Sequence, residues 1–180
     1  WASENLNVVT YQNGDTIPEV KDPKVWATLT TGAWCYYDNK KENGVKYGKL
    51  YNWYALTDQR GLAPKGFHIP SNKEFDELID GLGGDDLAVE KLMSKSGWVK
   101  DEYGNGAMGT NETGFTLIPA GIRSPGEPFE FLASEAYLWT GTPSSNMPEA
   151  SLVRVFYSEG STIIGYLVKQ TGISVRCIGD

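Results

Sequence analysis

The chain changes its hydrophobic pattern near its midpoint, and this change limits most strongly the folds that it can adopt. Before residue 100, apolar residues recur at helical spacing, whereas after it they form short runs rich in β-branched and aromatic residues. Such segregation of helices from strands is typical of the α+β class. No repeat or linker divides the 180 residues. We therefore predict one domain over 1–180, with two or three helices packed on a twisted, mainly antiparallel sheet.

Three segments of the first half carry helix signals. Residues 50–56 place Leu50 and Trp53 on one helical face, and a first helix is predicted there. A second helix has a stronger start signal, because Ser71 and Glu74 have the spacing of a capping box. Its apolar residues follow the i, i+3, i+4, i+7 pattern before Gly83-Gly84: Phe75, Leu78, Ile79 and Leu82. A short third helix is predicted from Asp86, as its cap, to Leu92, with Gly97 as its stop.

Short runs in the second half predict strands, because they are rich in strand-forming residues and are bounded by Gly, Pro, Ser or Asn. They cover 115–118, 137–140, 152–157, 163–168 and 173–178. In the last run, alternation places Ile173, Val175 and Cys177 on one face and Ser174, Arg176 and Ile178 on the other. Cys177 is therefore predicted to point with the core residues.

The charge of the chain limits its partners. The formal net charge is −7 and the sequence pI about 4.8, so the long-range field would repel phosphate backbones and nucleic acid is not an expected partner. No apolar run approaches the roughly 20 residues that span a bilayer, and we predict no membrane insertion by this segment. Trp1 already begins recognisable domain sequence, so the lack of a signal peptide says nothing about export.

His68 is the only histidine, so any mechanism with a histidine base would have to use it. It precedes the predicted helix cap at Ser71, where we interpret it as a neutral imidazole, hydrogen-bonded in a strand-to-helix junction. One histidine and two distant cysteines exclude the usual His/Cys zinc clusters. We predict no cofactor.

Two other patterns suggest ligands only superficially. Residues 104–109 match G-x-G-x-x-G, but they follow a polar segment and precede a loop, whereas a dinucleotide site needs a strand before it and a helix after it. The acidic pairs Asp85-Asp86 and Asp101-Glu102, the latter near Asn105, supply oxygens without forming a recognised calcium loop. Calcium binding is left as an open question, because no sequence motif supports it.

Four segments carry a resemblance to a known family. They are 1–7 (WASENLN), 47–53 (YGKLYNW), 65–71 (KGFHIPS) and 173–177 (ISVRC). In order and spacing they resemble the Fibrobacter succinogenes major paralogous (FISUMP) domain of secreted and surface proteins of gut bacteria. The resemblance implies a C-type lectin-like fold, an extracellular or cell-surface location as a lipoprotein or part of a larger secreted protein, and a disulfide between Cys35 and Cys177. From the residues alone, two buried thiols are the alternative.

The aromatic and polar residues between 137 and 166 form the predicted binding surface. Sugar rings stack on aromatic side chains while polar groups bind their hydroxyls, and protein partners use the same residue types. The candidates are Trp139, Asn146, Arg154, Tyr157, Glu159 and Tyr166. The alternative is that half of these aromatic residues fill the core.

We therefore expect a non-catalytic, exported recognition module that binds a glycan or a protein at the bacterial cell surface. A structural or assembly domain of a surface lipoprotein or appendage is the alternative, and an exposed apolar patch with self-association would favour it. An enzyme of the formylglycine-generating type is less favoured, since that chemistry needs two closely spaced, reduced cysteines. The sequence leaves the oligomeric state open.

Overall fold

The computed structural model describes residues 1–99, 109–145, 150–157 and 160–180, with the backbone alone for 86 and 150–155. Within these residues the helices precede Met93 and the longer strands follow Pro119, which confirms the α+β prediction. The described helices are α1 Pro23–Ala27, α2 Lys41–Tyr47, α3 Trp53–Leu56, α4 Asn72–Gly81 and α5 Asp85–Leu92, together with a 3-10 turn at Tyr37–Asn39. These helices are more numerous than the two or three that the sequence predicts. None of them is long and apolar enough to cross a bilayer.

Helix α4 begins as its sequence predicts. The Ser71 hydroxyl accepts a hydrogen bond from the Glu74 amide at 3.3 Å, and the Glu74 carboxylate accepts one from the Ser71 amide at 2.8 Å. This reciprocal pair satisfies amides that a helix otherwise leaves without partners. Phe75 and Ile79 are buried on the inner face of the helix. Capping and amphipathicity are local properties, which is why this helix could be predicted.

The other two predicted helices have different boundaries. Helix α3 starts at Trp53 because Asn52 caps it: the Asn52 Oδ1 atom accepts from the Ala55 amide at 3.1 Å and from the distant Ala33 amide at 3.0 Å. Residues Leu50–Tyr51 form a strand instead. Helix α5 begins at Asp85 after Gly84, with no side-chain cap, one residue before its predicted start, and it ends at Leu92 as predicted.

The described strands form four small antiparallel sheets rather than one. The pairs are β1 Trp34–Cys35 with β2 Leu50–Tyr51, β3 Phe67–His68 with β9 Ile178–Gly179, and β4 Ala120–Arg123 with β5 Phe129–Leu132. The fourth sheet has the order β6-β7-β8, with β6 at Glu135–Pro143, β7 at Ala150–Tyr157 and β8 at Thr162–Val168. The strands predicted over 137–140, 152–157 and 163–168 are confirmed. Residues 115–118 contribute only a bridge between Leu117 and Met93.

The closing segment passes through the interior. Ile173, Val175 and Cys177 share one hydrophobic cluster, as the alternation predicts. Ser174 and Arg176, on the opposite face, are buried as well. Instead of one strand over 173–178, single bridges connect this segment to its neighbours before β9. The N-terminal segment runs beside it, with the Ala2 amide donating to the Cys177 carbonyl at 2.9 Å.

Both cysteines are free and buried, so the predicted disulfide is wrong. Cys35 packs in the cluster that contains Trp26 and Leu50, whereas Cys177 packs with Trp34 and Ile173 in another. Burial raises the pKa of each thiol to about 11, which keeps both protonated at neutral pH. The two residues therefore act as small core hydrophobes.

Candidate functional site

The predicted binding residues divide between the two faces of the β6-β7-β8 sheet. In the register, Trp139 lies opposite Val153 and Arg154 lies opposite Ile164. Because side chains alternate along a strand, positions 139 and 157 belong to one face and positions 154 and 166 to the other. Asn146 and Glu159 lie outside the described residues. The predicted set therefore does not form one continuous surface.

Trp139 is a core residue, which corrects its assignment to the binding surface. Its side chain is fully buried, and its indole N–H donates to the Tyr51 carbonyl at 2.8 Å. Its ring meets the ring of Trp53 edge-on, with centroids 5.5 Å apart. Tyr157 is partly buried against the same cluster. The indole of Trp139 is therefore enclosed and has no free face for a ligand.

Tyr166 lies on an exposed apolar stripe of β8. Ile164, Tyr166 and Val168 follow one another on the same face, and each is between 40% and 49% exposed. Ile163 is exposed on the other face, and the strand contains no Asp, Glu, Lys or Arg. Proteins usually protect the outer strand of a sheet with charged residues, proline or a covering element. We call Thr162–Val168 with these exposed side chains the β8 edge.

The backbone of the β8 edge also presents hydrogen-bonding groups away from β7. The Tyr157 amide donates to the Ser161 carbonyl at 3.0 Å, which shows that these two residues are a hydrogen-bonded pair of the β7-β8 hairpin. Alternation from there directs the N–H and C=O of Ile163 and Gly165 toward β7 and those of Ile164 and Tyr166 outward. In the part of the chain that the structure describes, no other backbone group pairs with these outward groups. The β8 edge can therefore accept one further strand.

His68 lies between two carboxylates at the junction of β3 and α4. Its Nε2 atom is 2.7 Å from Glu74 Oε1, and its Nδ1 atom is 2.9 Å from Asp180 Oδ1. The hydrogen bonds to Glu74 and then to Asp180 raise its pKa. The strand-to-helix junction was predicted correctly, and both ring nitrogens face carboxylate acceptors, which favours the imidazolium over the neutral form that the sequence suggested. With both nitrogens occupied, His68 is poorly placed to act as a general base.

The acidic residues considered for calcium are only partly described. Residues 100–108, which include Asp101, Glu102 and Asn105 and most of the glycine-rich motif, lie outside the described residues. Elsewhere in the described chain, no group of three or more His, Cys, Asp or Glu side chains could hold a metal ion. Asp86 follows the first residue of α5, so it is not the N-cap.

Sequence reasoning missed the edge character of β8 and, besides the buried Arg123, two further buried cations, Lys49 and Arg176. The lack of charge over 162–168 was a usable signal for the edge, since a strand without charge is either covered or available to a partner. No comparable signal marks the cations, because Lys and Arg are rarely fully buried. Both lie behind a polar cleft, which is described below.

Comparison with known proteins places the chain in a family. The family model described as the Fibrobacter succinogenes major domain matches residues 1–179. The chain belongs to this family. The match of the Fibrobacter succinogenes major domain includes α4, the three-stranded sheet and the closing segment, which confirms the resemblance that the four motifs indicate. No curated protein and no solved structure matches the chain significantly.

Proposed function

We propose that this Fibrobacter succinogenes major domain is a non-catalytic recognition module that binds an extended segment of a partner protein along the β8 edge. We propose further that it is a single domain over 1–180 with a C-type lectin-like arrangement, displayed at the cell surface on a lipoprotein or a larger secreted protein. The lectin-like arrangement is supported by the small antiparallel sheets and by the pairing of the first and last segments, where the Leu6 amide donates to the Val175 carbonyl at 2.8 Å.

One observation carries the proposal. Ile164 and Tyr166 combine outward backbone groups with exposed apolar side chains, in a strand without charge. Main-chain hydrogen bonds to an added strand provide affinity, and the side chains of alternate residues provide specificity. An edge with which no described backbone group pairs also promotes aggregation, so its retention in a folded domain is best explained by a partner.

The net charge favours a partner other than a second copy. At −7, two copies repel each other, whereas a segment with alternating apolar residues flanked by Lys or Arg complements both the strand and the acidic domain. The alternative is an assembly domain in which the β8 edges of two copies pair. The experiment below distinguishes a segment of a partner protein from a second copy of this chain at the β8 edge.

The non-catalytic assignment is supported by the state of the reactive side chains. His68 has both ring nitrogens engaged by carboxylates. Cys35 and Cys177 are buried with raised pKa values, which leaves little of the thiolate that cysteine chemistry requires. A formylglycine-generating activity would need these two thiols to react together, and they pack in different clusters.

The experiment is a selection of binding peptides followed by amide hydrogen exchange. A phage-displayed library of random linear peptides is selected against the chain, and the enriched peptides are synthesised. On binding, we expect new protection at the outward amides of Ile164 and Tyr166 and little change at Ile163 and Gly165, which already pair with β7. Sedimentation velocity without peptide tests whether two copies associate.

The matched variants are Tyr166→Pro and Tyr166→Ala. Proline removes the outward N–H, and this position of an edge strand tolerates it, whereas alanine removes only the side chain. We expect Tyr166→Pro to abolish peptide binding and Tyr166→Ala to weaken it, with unfolding curves showing that both variants fold. Equal binding by wild type and Tyr166→Pro, or protection located elsewhere, would reject the proposal. Protection at the same amides caused by self-association would instead support assembly.

A further inference from the structure

A polar cleft lies between the N-terminal segment, α2 and residues 116–118, away from the β8 edge. Its cavity volume is about 160 Å³, below the usual range for drug-sized ligands, so it suits only a small one. The residues that matter for its chemistry are Ser3, Glu4, Asn5, Asn7, Lys46 and Thr116. Hydroxyl, amide and charged groups therefore converge on one concave surface.

Arg176 lies directly behind this cleft and forms no direct ion pair in the described chain, although the charge of the cleft residue Glu4 acts on it. Its side chain is fully buried, and its guanidinium donates to Asn5 Oδ1 at 2.7 Å, to the Thr116 carbonyl at 3.3 Å and to the Ala2 carbonyl at 3.0 Å. All these acceptors are neutral, and no carboxylate of the described chain forms an ion pair with it. Burial lowers its pKa to about 10, so it stays charged at neutral pH.

Lys49 is the second buried cation behind the cleft. It is 3% exposed, and its ammonium donates to the Asn7 carbonyl at 3.0 Å and also to the Asn7 side chain. It lies 4.7 Å from the ring centre of Trp34 and 5.1 Å from that of Tyr36, in cation–π contact. Burial lowers its pKa, while the more distant charge of Glu19 opposes this shift. Lys49 likewise lacks a paired carboxylate within the described residues.

Two buried cations therefore lie behind the cleft of an otherwise acidic protein. Arg176 contacts the cleft residue Asn5, and Lys49 contacts the cleft residue Asn7. Charges held in the interior are screened far less than surface charges. Lys46 adds a third positive charge at the exposed rim, and Glu4 is the opposing charge in the wall.

The backbone of the cleft wall is also held in an unusual conformation. Thr116 has φ of 55°, a left-handed value that is rare for a β-branched residue. Its amide donates to Asn111 Oδ1 at 2.7 Å, and its carbonyl accepts from Arg176 at 3.3 Å. Backbone strain held by such contacts is concentrated at binding sites.

We infer that this cleft binds a small organic carboxylate, and that a hexuronic acid is the sugar form that suits it. The carboxylate is attracted by the positive charges of Lys46, Lys49 and Arg176. The hydroxyl groups of the ligand meet the polar side chains of Ser3, Asn7 and Thr116. This site is separate from the β8 edge, so either site can be tested without the other.

The test is isothermal titration calorimetry of the whole chain with sodium galacturonate, sodium acetate and galactose at one low ionic strength. We expect saturable galacturonate binding at least about tenfold tighter than galactose, since a hydrogen-bonded charge contributes about 1.5–3 kcal/mol. Acetate is expected to bind more weakly than galacturonate but to compete with it. If neither carboxylate binds, or if galactose binds as well as galacturonate, the inference is wrong.

Charge variants at exposed positions locate the site without unfolding the domain. Lys46→Gln should weaken galacturonate binding by about two- to fivefold, the effect of an exposed charge. Glu4→Gln should strengthen it by a similar factor, because it removes the opposing charge. Lys24→Gln, an exposed change of equal charge outside the cleft lining, is the matched control and should leave binding unchanged. Equal effects of Lys46→Gln and Lys24→Gln would show non-specific attraction and overturn the inference.

Discussion

The β8 edge and the closing segment are close in sequence and opposite in burial. Strand β8 carries exposed Ile164, Tyr166 and Val168, whereas the closing segment encloses the cation of Arg176 among neutral oxygens. At the β8 edge apolar side chains are exposed to solvent, and in the closing segment a charged side chain is buried, so each place departs from the usual distribution of residues. Each departure needs a compensating interaction. The closing segment finds its hydrogen bonds within the domain, whereas under the proposed function the β8 edge finds them in a partner.

The largest expected effect separates the two aromatic residues that the sequence assigns to one surface. Trp139→Ala should lower the free energy of unfolding by about 3–5 kcal/mol, because it removes a buried indole and leaves a cavity. Tyr166→Ala, on the β8 edge, should change it by less than about 1 kcal/mol. Urea unfolding of both variants measures the difference. Similar losses in the two variants would contradict the contrast between a core residue and an edge residue.

The second prediction tests whether the buried cation of the closing segment stabilises the fold. Arg176→Met keeps an apolar stem but leaves Asn5 Oδ1 and the carbonyl groups around it without donors. We expect a loss of about 2–4 kcal/mol, since each buried acceptor left unpaired costs about 1–3 kcal/mol and rearrangement recovers part of it. Lys95→Met, at an exposed position, is the control and should stay within about 0.5 kcal/mol. If Arg176→Met leaves the free energy of unfolding unchanged, the hydrogen bonds of Arg176 contribute nothing to stability.

The third prediction concerns pH and the end of the closing segment. Glu74 and Asp180 raise the pKa of His68 above its ordinary value of 6.5. The stabilisation from this imidazolium is therefore complete below the unfolded pKa and is lost as the pH rises through the folded pKa. Urea midpoints measured upward from pH 6 should fall more for wild type than for His68→Gln. An NMR titration of the imidazole gives the folded pKa directly, and a value at or below 6.5 would refute the prediction.

The smallest expected effect on stability is at the β8 edge itself. Ile164→Lys places a charge on an exposed position, so the free energy of unfolding should change by no more than about 0.5 kcal/mol. The same change should abolish binding of the selected peptides, because lysine protects an edge strand against pairing. A loss of stability as large as that of a core variant would mean that the strand is covered in solution.

Local signals account for the part of the fold that the sequence could predict. The capping box at Ser71 and the apolar runs of β6 to β8 need no distant contact, and both were predicted close to their observed positions. The two-residue strands depend on partners far along the chain, as Asn52 shows by capping α3 while holding the amide of Ala33. Strands of that kind leave no periodic pattern to detect.

The candidate residues that the structure describes fall in one sheet, but they divide between its two faces. Composition identified the sheet, whereas the face of each residue depends on register, which only the pairing of β6, β7 and β8 determines. For the same reason, the sequence placed His68 correctly in its junction but could not reveal that Asp180 would lie beside it. The sequence pattern does not reveal which residues that are far apart in the chain lie side by side in the fold.

The free thiols of Cys35 and Cys177 make this domain indifferent to redox conditions. With no covalent link between them, the fold owes its stability to non-covalent interactions. A fold without a disulfide requires neither an oxidising compartment nor a disulfide isomerase. A bacterial host with a normal reducing cytoplasm is a suitable source of the native domain, and reductant in the buffer leaves its unfolding midpoint unchanged.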